Sequence, residues 1–555
     1  MIAVTFRGAL AGVFASAVSI AAAGGLQPPR EIPKVPADLL SRPVSIAKGI
    51  GHAHDAVGTA SKPAQALYDQ GLAYLHSYVW IEAARAFNQA LRDDPTLAIA
   101  HAQLSLALTE LNAPVEAHAA LERARVLSAK ADRGAGAPGE ADRGTGAPGV
   151  ANAHDRRHIE ARRLQMAAED HPSEAALAAY RTALDEALKA FPNDAEFWLL
   201  RGNAESPDPA DRGQGSVAGS IRYYEKARAL APEDDAPLHF LTHAYENSRN
   251  SDAALSFSEQ YAKAAPSIPH AQHMHGHVLL GRGRVGEAVT AFEAADRIDR
   301  AYLTAEKIPA EYEWHVEHNL DLLGASYAYL GRMQKAEQAF KDGFALPTAL
   351  AVQAFNKRNY PAFLIARGRF DDARAAAATL AAHPSSFARV AGQMEDARAL
   401  MGARKPAADA INAALTVIRS SPPAGAFAAG PFTILQGEYF VLANQRTRGE
   451  PMLRQAVQKL RLLTGPDAHM DALFTLEDIA RSMREAGAWD LAAWAAGQMM
   501  EYDPDYAGAH FASALALEKT GNAAGARTAF AAAARLWSGA DPALPELQLA
   551  KQKSR

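Results

Sequence analysis

The sequence predicts an all-α protein built as a solenoid of about ten helix hairpins. Alanine is abundant and β-branched residues are sparse, which favours helix along the whole chain. A unit of about 34 residues recurs, with small residues and an aromatic residue at fixed places. The chain has 555 residues, 49% of them hydrophobic, which is enough for an extended array of such units.

The unit from Ala64 to Leu97 shows the pattern most completely. Gly71 and Ala83, at places 8 and 20, allow two antiparallel helices to approach closely. Phe87 at place 24 fills the space between them, and Pro95 at place 32 ends the second helix. Further matching units begin at Ala98, Pro269, Glu317 and Ala507, and weaker ones near Ala161, Ala195, Asp235, Ala354 and Leu473.

This pattern resembles the tetratricopeptide repeat (TPR) signature over about four-fifths of the chain. The resemblance implies a right-handed superhelix in which each repeat contacts only its neighbours. The predicted segments are a signal peptide at 1–23, a flexible arm at 24–63, N-terminal TPR repeats at 64–130, a disordered Gly/Pro-rich loop at 131–153, a central TPR array at 154–387, an irregular helical region at 388–470, C-terminal TPR repeats at 471–540 and a tail at 541–555.

The N-terminus is typical of a secretory signal peptide. Arg7 is followed by an uncharged run from Gly8 and by the small-residue triplet Ala21–Ala23. We therefore expect a periplasmic or secreted protein that begins near Gly24 and has no membrane span after cleavage. An uncleaved anchor is the alternative interpretation, although the run is only weakly apolar for spanning a bilayer.

Composition removes several classes of function. The chain has no cysteine, which excludes disulfides, thiolate metal sites and cysteine nucleophiles. Its formal charge of −5 comes from mixed acidic and basic residues, so we expect no nucleic-acid partner. The sequence contains no phosphate loop, G-x-S-x-G elbow or H-E-x-x-H motif, and whether the protein is an enzyme stays open.

Histidines fall at equivalent places in two consecutive repeats. His239 and His243 occupy places 5 and 9 of the unit from Asp235, and His273 and His277 occupy the same places of the next unit. Each pair is spaced i, i+4, so both side chains lie on one helix face. Neighbouring helices pack 8–10 Å apart, so the four imidazoles are predicted to converge on a divalent metal at the concave face.

Other residues nearby are candidates for additional ligands or for groups that orient the ligands. They are His270, His315, His318, Glu246 and Asp321. Without thiolates, an imidazole-rich site suits Zn, Cu, Ni or Fe, and the carboxylates are bridging candidates if two ions bind. Residues 300–311 are an insertion that we expect to fold over the site as a lid.

The middle of the chain resembles a bacterial family of TPR proteins with paired histidines on successive first helices. The strings LHFLTHAYE, PHAQHMHGHVLLGRGRV and YEWHVEHNL carry this resemblance, which covers roughly residues 155–345. It implies a shared site and no named reaction.

Alternative interpretations remain for these histidines. The groove of a TPR scaffold binds a protein or peptide partner without metal, and His residues there then supply hydrogen bonds. His275, His101 and His510 fall at core places and are interpreted as structural. The histidines of GHAHD (51–55) are expected in a solvated arm, and HDRRH (154–158) is a weaker candidate for joining the site.

Overall fold

A computed structural model describes residues 34–132, 151–348, 351–463, 465 and 467–555. Within these ranges the chain forms α-helices and short 3₁₀ turns and contains no strand, so the predicted all-α fold is confirmed. Among the described helices, twenty-four pair in chain order into twelve antiparallel hairpins, where the sequence predicts about ten. The architecture is a TPR-like helical solenoid.

The first half of the solenoid runs through fourteen helices. They are α1 Ala37–Leu40, α2 Lys62–His76, α3 Trp80–Asp93, α4 Ala98–Glu110, α5 Pro114–Asp132, α6 Ala153–Asp170, α7 Glu174–Ala190, α8 Ala195–Asn203, α9 Ile221–Leu230, α10 Ala236–Asn247, α11 Ser251–Ala264, α12 Pro269–Gly281, α13 Val285–Glu306 and α14 Trp314–Tyr329.

The second half continues in the same way and ends in a single helix. Its members are α15 Met333–Ala345, α16 Ala351–Asn356, α17 Asn359–Ala366, α18 Phe370–Ala381, α19 Ser386–Gly402, α20 Ala408–Ser420, α21 Pro422–Leu442, α22 Arg446–Leu460, α23 Ala468–Glu485, α24 Trp489–Tyr502, α25 Ala507–Lys519, α26 Ala523–Leu536 and α27 Pro545–Lys553.

Glycine at place 8 sets the close spacing of several hairpins. A Cβ built on Gly276 would lie 2.6 Å from the Phe292 ring, and one on Gly324 would lie 2.8 Å from the Phe340 ring. Real Cβ atoms do not approach other atoms so closely, so only glycine fits against the aromatic residue of place 24. The repeat pattern in the sequence therefore corresponds to a real contact between the two helices of each hairpin.

Residues 34–63 pack against the solenoid, contrary to the flexible arm that the sequence suggests. Leu39 and Ile50 are buried. The amide of Ser267 donates to the carbonyl of Gly49 at 2.7 Å, and the amide of Asp235 donates to the carbonyl of residue 52 at 3.0 Å. The segment is ordered because it buries apolar side chains and meets backbone groups from far along the chain.

Three other segments are more regular than the sequence suggests. The region at 388–470 contains the two hairpins from α19 to α22. In the second of them Gly437 and Gly449 supply the small residues, but Leu453 stands where other units have an aromatic residue. The tail includes α27, which buries Leu547 and Ala550. The insertion at 300–311 mostly continues α13, which ends at Glu306, and is a helix extension rather than a separate lid.

Two predicted features fall outside the described residues: the signal peptide at 1–23 and most of the Gly/Pro-rich loop, from 133 to 150. Among the helices that are described, none combines the length and the apolar character that crossing a bilayer requires.

We expect Gly71→Ala to lower stability and Gly497→Ala to raise it slightly. A Cβ at Gly71 would overlap the Phe87 ring, whereas one at Gly497, inside α24, would meet nothing within 4 Å. The first substitution should cost about 1–3 kcal/mol by overpacking, and the second should gain roughly 0.5–1 kcal/mol of helix propensity. Urea denaturation followed by circular dichroism measures both, and equal midpoints for the two variants would contradict the packing argument.

Candidate metal centre

Seven predicted histidines meet where three consecutive first helices, α10, α12 and α14, pack side by side. The hairpins are in register, so equivalent turns of these helices face one another. The ring nitrogens form three overlapping groups, with the ligand atoms of each group within 4.8 Å of one another: His239, His243 and His270; His270, His273 and His315; His273, His277 and His318.

The first group converges through its Nε2 atoms. His239 Nδ1–H donates to the carbonyl of His76 at 2.6 Å, so the Nε2 of this neutral ring carries a lone pair. That Nε2 lies 3.0 Å from His243 Nε2 and 3.0 Å from His270 Nε2. The three nitrogens thus surround one point between α10 and α12.

The tautomer of His273 is fixed by an amide. Asn319 Nδ2 donates to the carbonyl of Phe292 at 3.0 Å, which sets the orientation of the Asn319 side chain. Its Oδ1 then accepts from His273 Nδ1–H at 2.9 Å. The lone pair of His273 is therefore on Nε2, which is buried and has no hydrogen-bond partner.

Asp299 orients His315 in the same way. Asp299 Oδ2 accepts from His315 Nδ1–H at 2.8 Å, and both side chains are buried. His315 Nε2 is left buried without a partner, as are both ring nitrogens of His277. A carboxylate behind an imidazole fixes its tautomer and increases its basicity, as is common for metal-ligating histidines.

The cluster is buried, and burial disfavours the charged form of most of its imidazoles. All seven side chains are 0–6% exposed. Burial, followed by the neighbouring His318, lowers the pKa of His243 to about 3, and burial with His315 lowers that of His318 to about 3. The pKa is also well below its usual value, mainly because of burial, for His239, His270, His273 and His277.

The first hairpin covers the cluster, so these histidines do not line an open concave face as predicted. The ring centroid of Tyr78 lies 4.7 Å from that of His239 and 5.0 Å from that of His270. Trp314 Nε1 donates to the carbonyl of Tyr78 at 3.0 Å, and its ring stacks on Trp80. The histidines are buried because the first hairpin of the chain packs against the middle of the superhelix.

A cavity of about 200 Å³ reaches the cluster beside His270 and His315. Its walls include His270 and His315, together with Tyr302, Glu313 and Asp299. Tyr302 comes from the extended part of α13, so the insertion does border the approach to the histidines. Burial and nearby Asp299 raise the pKa of Glu313 to about 8.

The structure places the two predicted carboxylates outside the three histidine groups. Asp321 accepts hydrogen bonds from Asn359 Nδ2 and lines two cavities, the smaller of which also borders His318. Glu246 borders another cavity beside His469, and burial raises its pKa to about 8. Neither residue is positioned as a ligand or a bridge in this arrangement.

The remaining histidines lie elsewhere. His275 Nδ1 pairs with the hydroxyl of Ser258 at 3.2 Å, and His510 Nε2 donates to the carbonyl of Pro504 at 2.8 Å; both residues are half-buried. His154 and His158 do not join the seven-histidine cluster; they meet Asp55, from the GHAHD stretch, in another group.

Sequence reasoning missed the groups that orient the ligands. Asn319 lies within the string YEWHVEHNL but orients His273 on the preceding first helix, and Asp299 lies 16 residues before His315 on a different helix. The carbonyl of His76 and the ring of Tyr78 carry no signal in the sequence, because they reach the cluster only through the tertiary fold.

Comparison with known proteins extends only to the general fold. No family model and no curated protein matches this chain. Among solved structures it is similar to yeast Tom70, with a TM-score of 0.31 and 10% identity over 89% of this chain and 88% of that one.

Two further solved structures show the same low similarity. The APC/C hetero-tetramer Cut9–Hcn1 gives a TM-score of 0.28 and 11% identity over 88% of this chain and 90% of that one. A monomeric IFIT1 mutant with Gppp-AAAA gives 0.32 and 9% over 79% and 90%. At these values the fold assignment rests on the helix hairpins themselves.

The metal-free protein should lose stability as the pH falls from about 6.5 towards 3. The unfolded histidines titrate near 6.5, whereas the fold holds His243 and His318 neutral down to a pKa of about 3. Protons therefore bind the unfolded chain preferentially over this range, and the fold is destabilised. Thermal denaturation in a chelator measures the change.

Substituting the buried histidines should flatten this dependence. We expect a shallower loss of melting temperature between pH 6.5 and 4 for His243→Gln and His318→Gln than for the wild type. His118→Gln is the matched control because that side chain is 52% exposed. A slope that is the same in all four proteins would contradict the electrostatic account of the cluster.

Proposed function

We propose that this protein binds divalent transition-metal ions at the seven-histidine cluster. The main evidence for this proposal is a set of buried ring nitrogens that have no hydrogen-bond partner: His270 Nδ1, His273 Nε2, His315 Nε2 and both nitrogens of His277. An unpaired buried polar atom costs on the order of 1–3 kcal/mol, so several in one place need a compensating interaction. A metal ion accepts such lone pairs directly.

Hydrogen bonds between the rings do not explain the first group. The single lone pair of His239 Nε2 faces two Nε2 atoms, each at 3.0 Å. If both neighbours donate to it, two protons compete for one acceptor. A cation placed between the three nitrogens uses one lone pair from each ring, and imidazole nitrogens at about 2.0–2.1 Å from such an ion lie a little over 3 Å apart.

The tautomers of these histidines favour two metal ions in the cluster. The first uses His239, His243 and His270 through Nε2. His273 offers one lone pair only, because its Nδ1–H is held by Asn319, so this ring serves a single ion. The second ion then takes His273, His277 and His318, and His315 lies beside His273, with ring centroids 4.7 Å apart, as a further ligand.

The first proposed ion has three neutral imidazole ligands and an open position, whereas His315 provides a fourth ligand for the second ion. Zn, Cu, Ni and Fe all accept such ligand sets. A buried dication with neutral ligands favours an anion at the open position, and water bound to zinc becomes hydroxide near neutral pH. The cavity beside His270 and His315 gives a small molecule a route to this position. Hydrolytic or oxidative chemistry is the class of reaction that such a site supports.

Peptide binding through these histidines is less well supported. A scaffold uses side chains at an accessible surface, whereas the most exposed histidine of the cluster, His318, is only 6% exposed. A protein partner elsewhere on the solenoid remains a separate proposal.

We further propose that the protein is exported, which rests on residues 1–23 and is tested by N-terminal sequencing of the native protein.

Metal content of the protein, purified without a histidine tag and reloaded with Zn²⁺, tests the proposal. His243→Ala should lose one equivalent per chain, because it removes a ligand of the first ion. His277→Ala should lose one equivalent at the second site, and the double variant should lose both. Inductively coupled plasma mass spectrometry of the dialysed proteins gives these differences.

The control is His101→Ala, which removes an imidazole on α4 outside the three groups. It should keep the metal content of the wild type. Equal zinc in the wild type and the double variant, with both proteins folded by circular dichroism, would refute the proposed site.

A further inference from the structure

A second group of metal-ligand side chains lies away from the seven-histidine cluster. Asp55, His154, His158 and Asp194 place one ligand atom each within 4.8 Å of the others. All four residues are at most 7% exposed. They come from three separate segments: the N-terminal segment before α2, the first turns of α6, and the residue that precedes α8.

The ligand atoms point at a common centre. His154 Nε2 lies 2.6 Å from Asp194 Oδ2 and 3.2 Å from Asp55 Oδ1. His158 Nε2 lies 3.2 Å from His154 Nε2 and 3.8 Å from Asp55 Oδ2. The two histidines are spaced i, i+4, so α6 presents both rings on one face, and the two carboxylates close the other side.

Surrounding groups orient these side chains. Asp155 Oδ1 lies 3.4 Å from His154 Nδ1, and its other oxygen accepts from the Gly58 amide at 3.0 Å. Asp194 Oδ1 accepts from the Phe197 amide at 3.0 Å as the N-cap of α8, which leaves Oδ2 for the centre. His158 stacks on the Phe197 ring with centroids 3.8 Å apart.

An ion pair between His154 and the carboxylates leaves part of the group without partners. The proton on His154 Nε2 goes to Asp194, its nearest acceptor. Asp55 Oδ2 and His158 Nδ1 are then buried with no hydrogen-bond partner. His154, which has a carboxylate beside each ring nitrogen, offsets only one of the two carboxylates of the group when it is protonated, and a net negative charge in a buried group is costly unless it is neutralised.

We infer that Asp55, His154, His158 and Asp194 form a second metal site that binds one divalent first-row cation, such as Zn²⁺. One dication that displaces the proton from His154 Nε2 balances the charge of the two ligand carboxylates and uses one atom from each residue. Two nitrogen and two oxygen ligands provide the four-coordinate shell of a structural zinc site. The ion would hold the N-terminal segment against α6 and α8.

This site is independent of the proposed function, because it shares no residue with the seven-histidine cluster. The test therefore uses the His243→Ala, His277→Ala double variant as its parent, in the full chain. The parent is stripped with a chelator, reloaded with Zn²⁺ alone and dialysed. We expect it to retain one equivalent, and we expect Asp55→Asn in this parent to retain none.

Two further variants sharpen the comparison. His158→Gln, a side chain of similar size, should also abolish the equivalent. Asp170→Asn is the matched control, since Asp170 lies on the same helix as His154 and pairs with His118 at 3.4 Å but lies outside the group. It should keep the equivalent. Limited proteolysis should cut the N-terminal segment faster in the stripped parent than in the reloaded one.

The inference fails on either of two results. One is a folded parent protein that retains no zinc, which would leave the four residues as an ion-pair network. The other is zinc that persists unchanged in Asp55→Asn or in His158→Gln, with the variant folded by circular dichroism, which would locate the ion elsewhere.

Discussion

Contact between the first hairpin and the middle of the solenoid is the constraint on which the candidate site depends. Trp314 reaches the carbonyl of Tyr78 across 236 residues of sequence, and Arg85 pairs with Glu306 at 2.7 Å across 221. In a simple TPR array each repeat touches only its neighbours. Here the chain returns on itself, and the returning hairpin removes the histidines from water.

That burial has an energetic consequence. The fold supplies a hydrogen-bond acceptor for the Nδ1–H of three rings, His239, His273 and His315, and leaves their Nε2 lone pairs facing inwards. Desolvated lone pairs destabilise the metal-free fold. Anything that binds them in the folded state stabilises it by mass action, so metal affinity and folding stability are coupled.

Local geometry explains what the sequence could predict. The i, i+4 spacing of His239 and His243, repeated at His273 and His277, depends only on helical periodicity and hairpin phase, and the structure keeps both. Helix α14 begins at Trp314, three residues before the unit predicted at Glu317, although the phase of that unit is kept, because Gly324 packs against Phe340. His315 and His318 therefore face the cluster, and Asp321 falls about one turn beyond it.

Contacts between segments that are far apart in the sequence explain what the sequence could not predict. Asp55 looks like part of a solvated arm because its partners, His154 and Asp194, lie about 100 and 140 positions away, and no local period links such distances. The place of Glu246 in the repeat predicts that it is an additional ligand or orients one. That place lies further along α10 than His243, where the neighbouring helices present a different cavity. Repeat phase identifies a helix face but not how far along it a site extends.

The two groups of ligands share one structural support. Glu196, two residues after Asp194, pairs with His76 Nε2 at 2.9 Å, and the carbonyl of His76 holds the Nδ1–H of His239. The end of α2 is thus fixed on one side by the helix that carries Asp194 and on the other by the first histidine group. Because both contacts are buried, a shift of α8 moves the acceptor that sets the His239 tautomer. An ion at Asp55 and Asp194 would therefore help to keep the seven-histidine cluster in its binding geometry, even though it coordinates none of those rings.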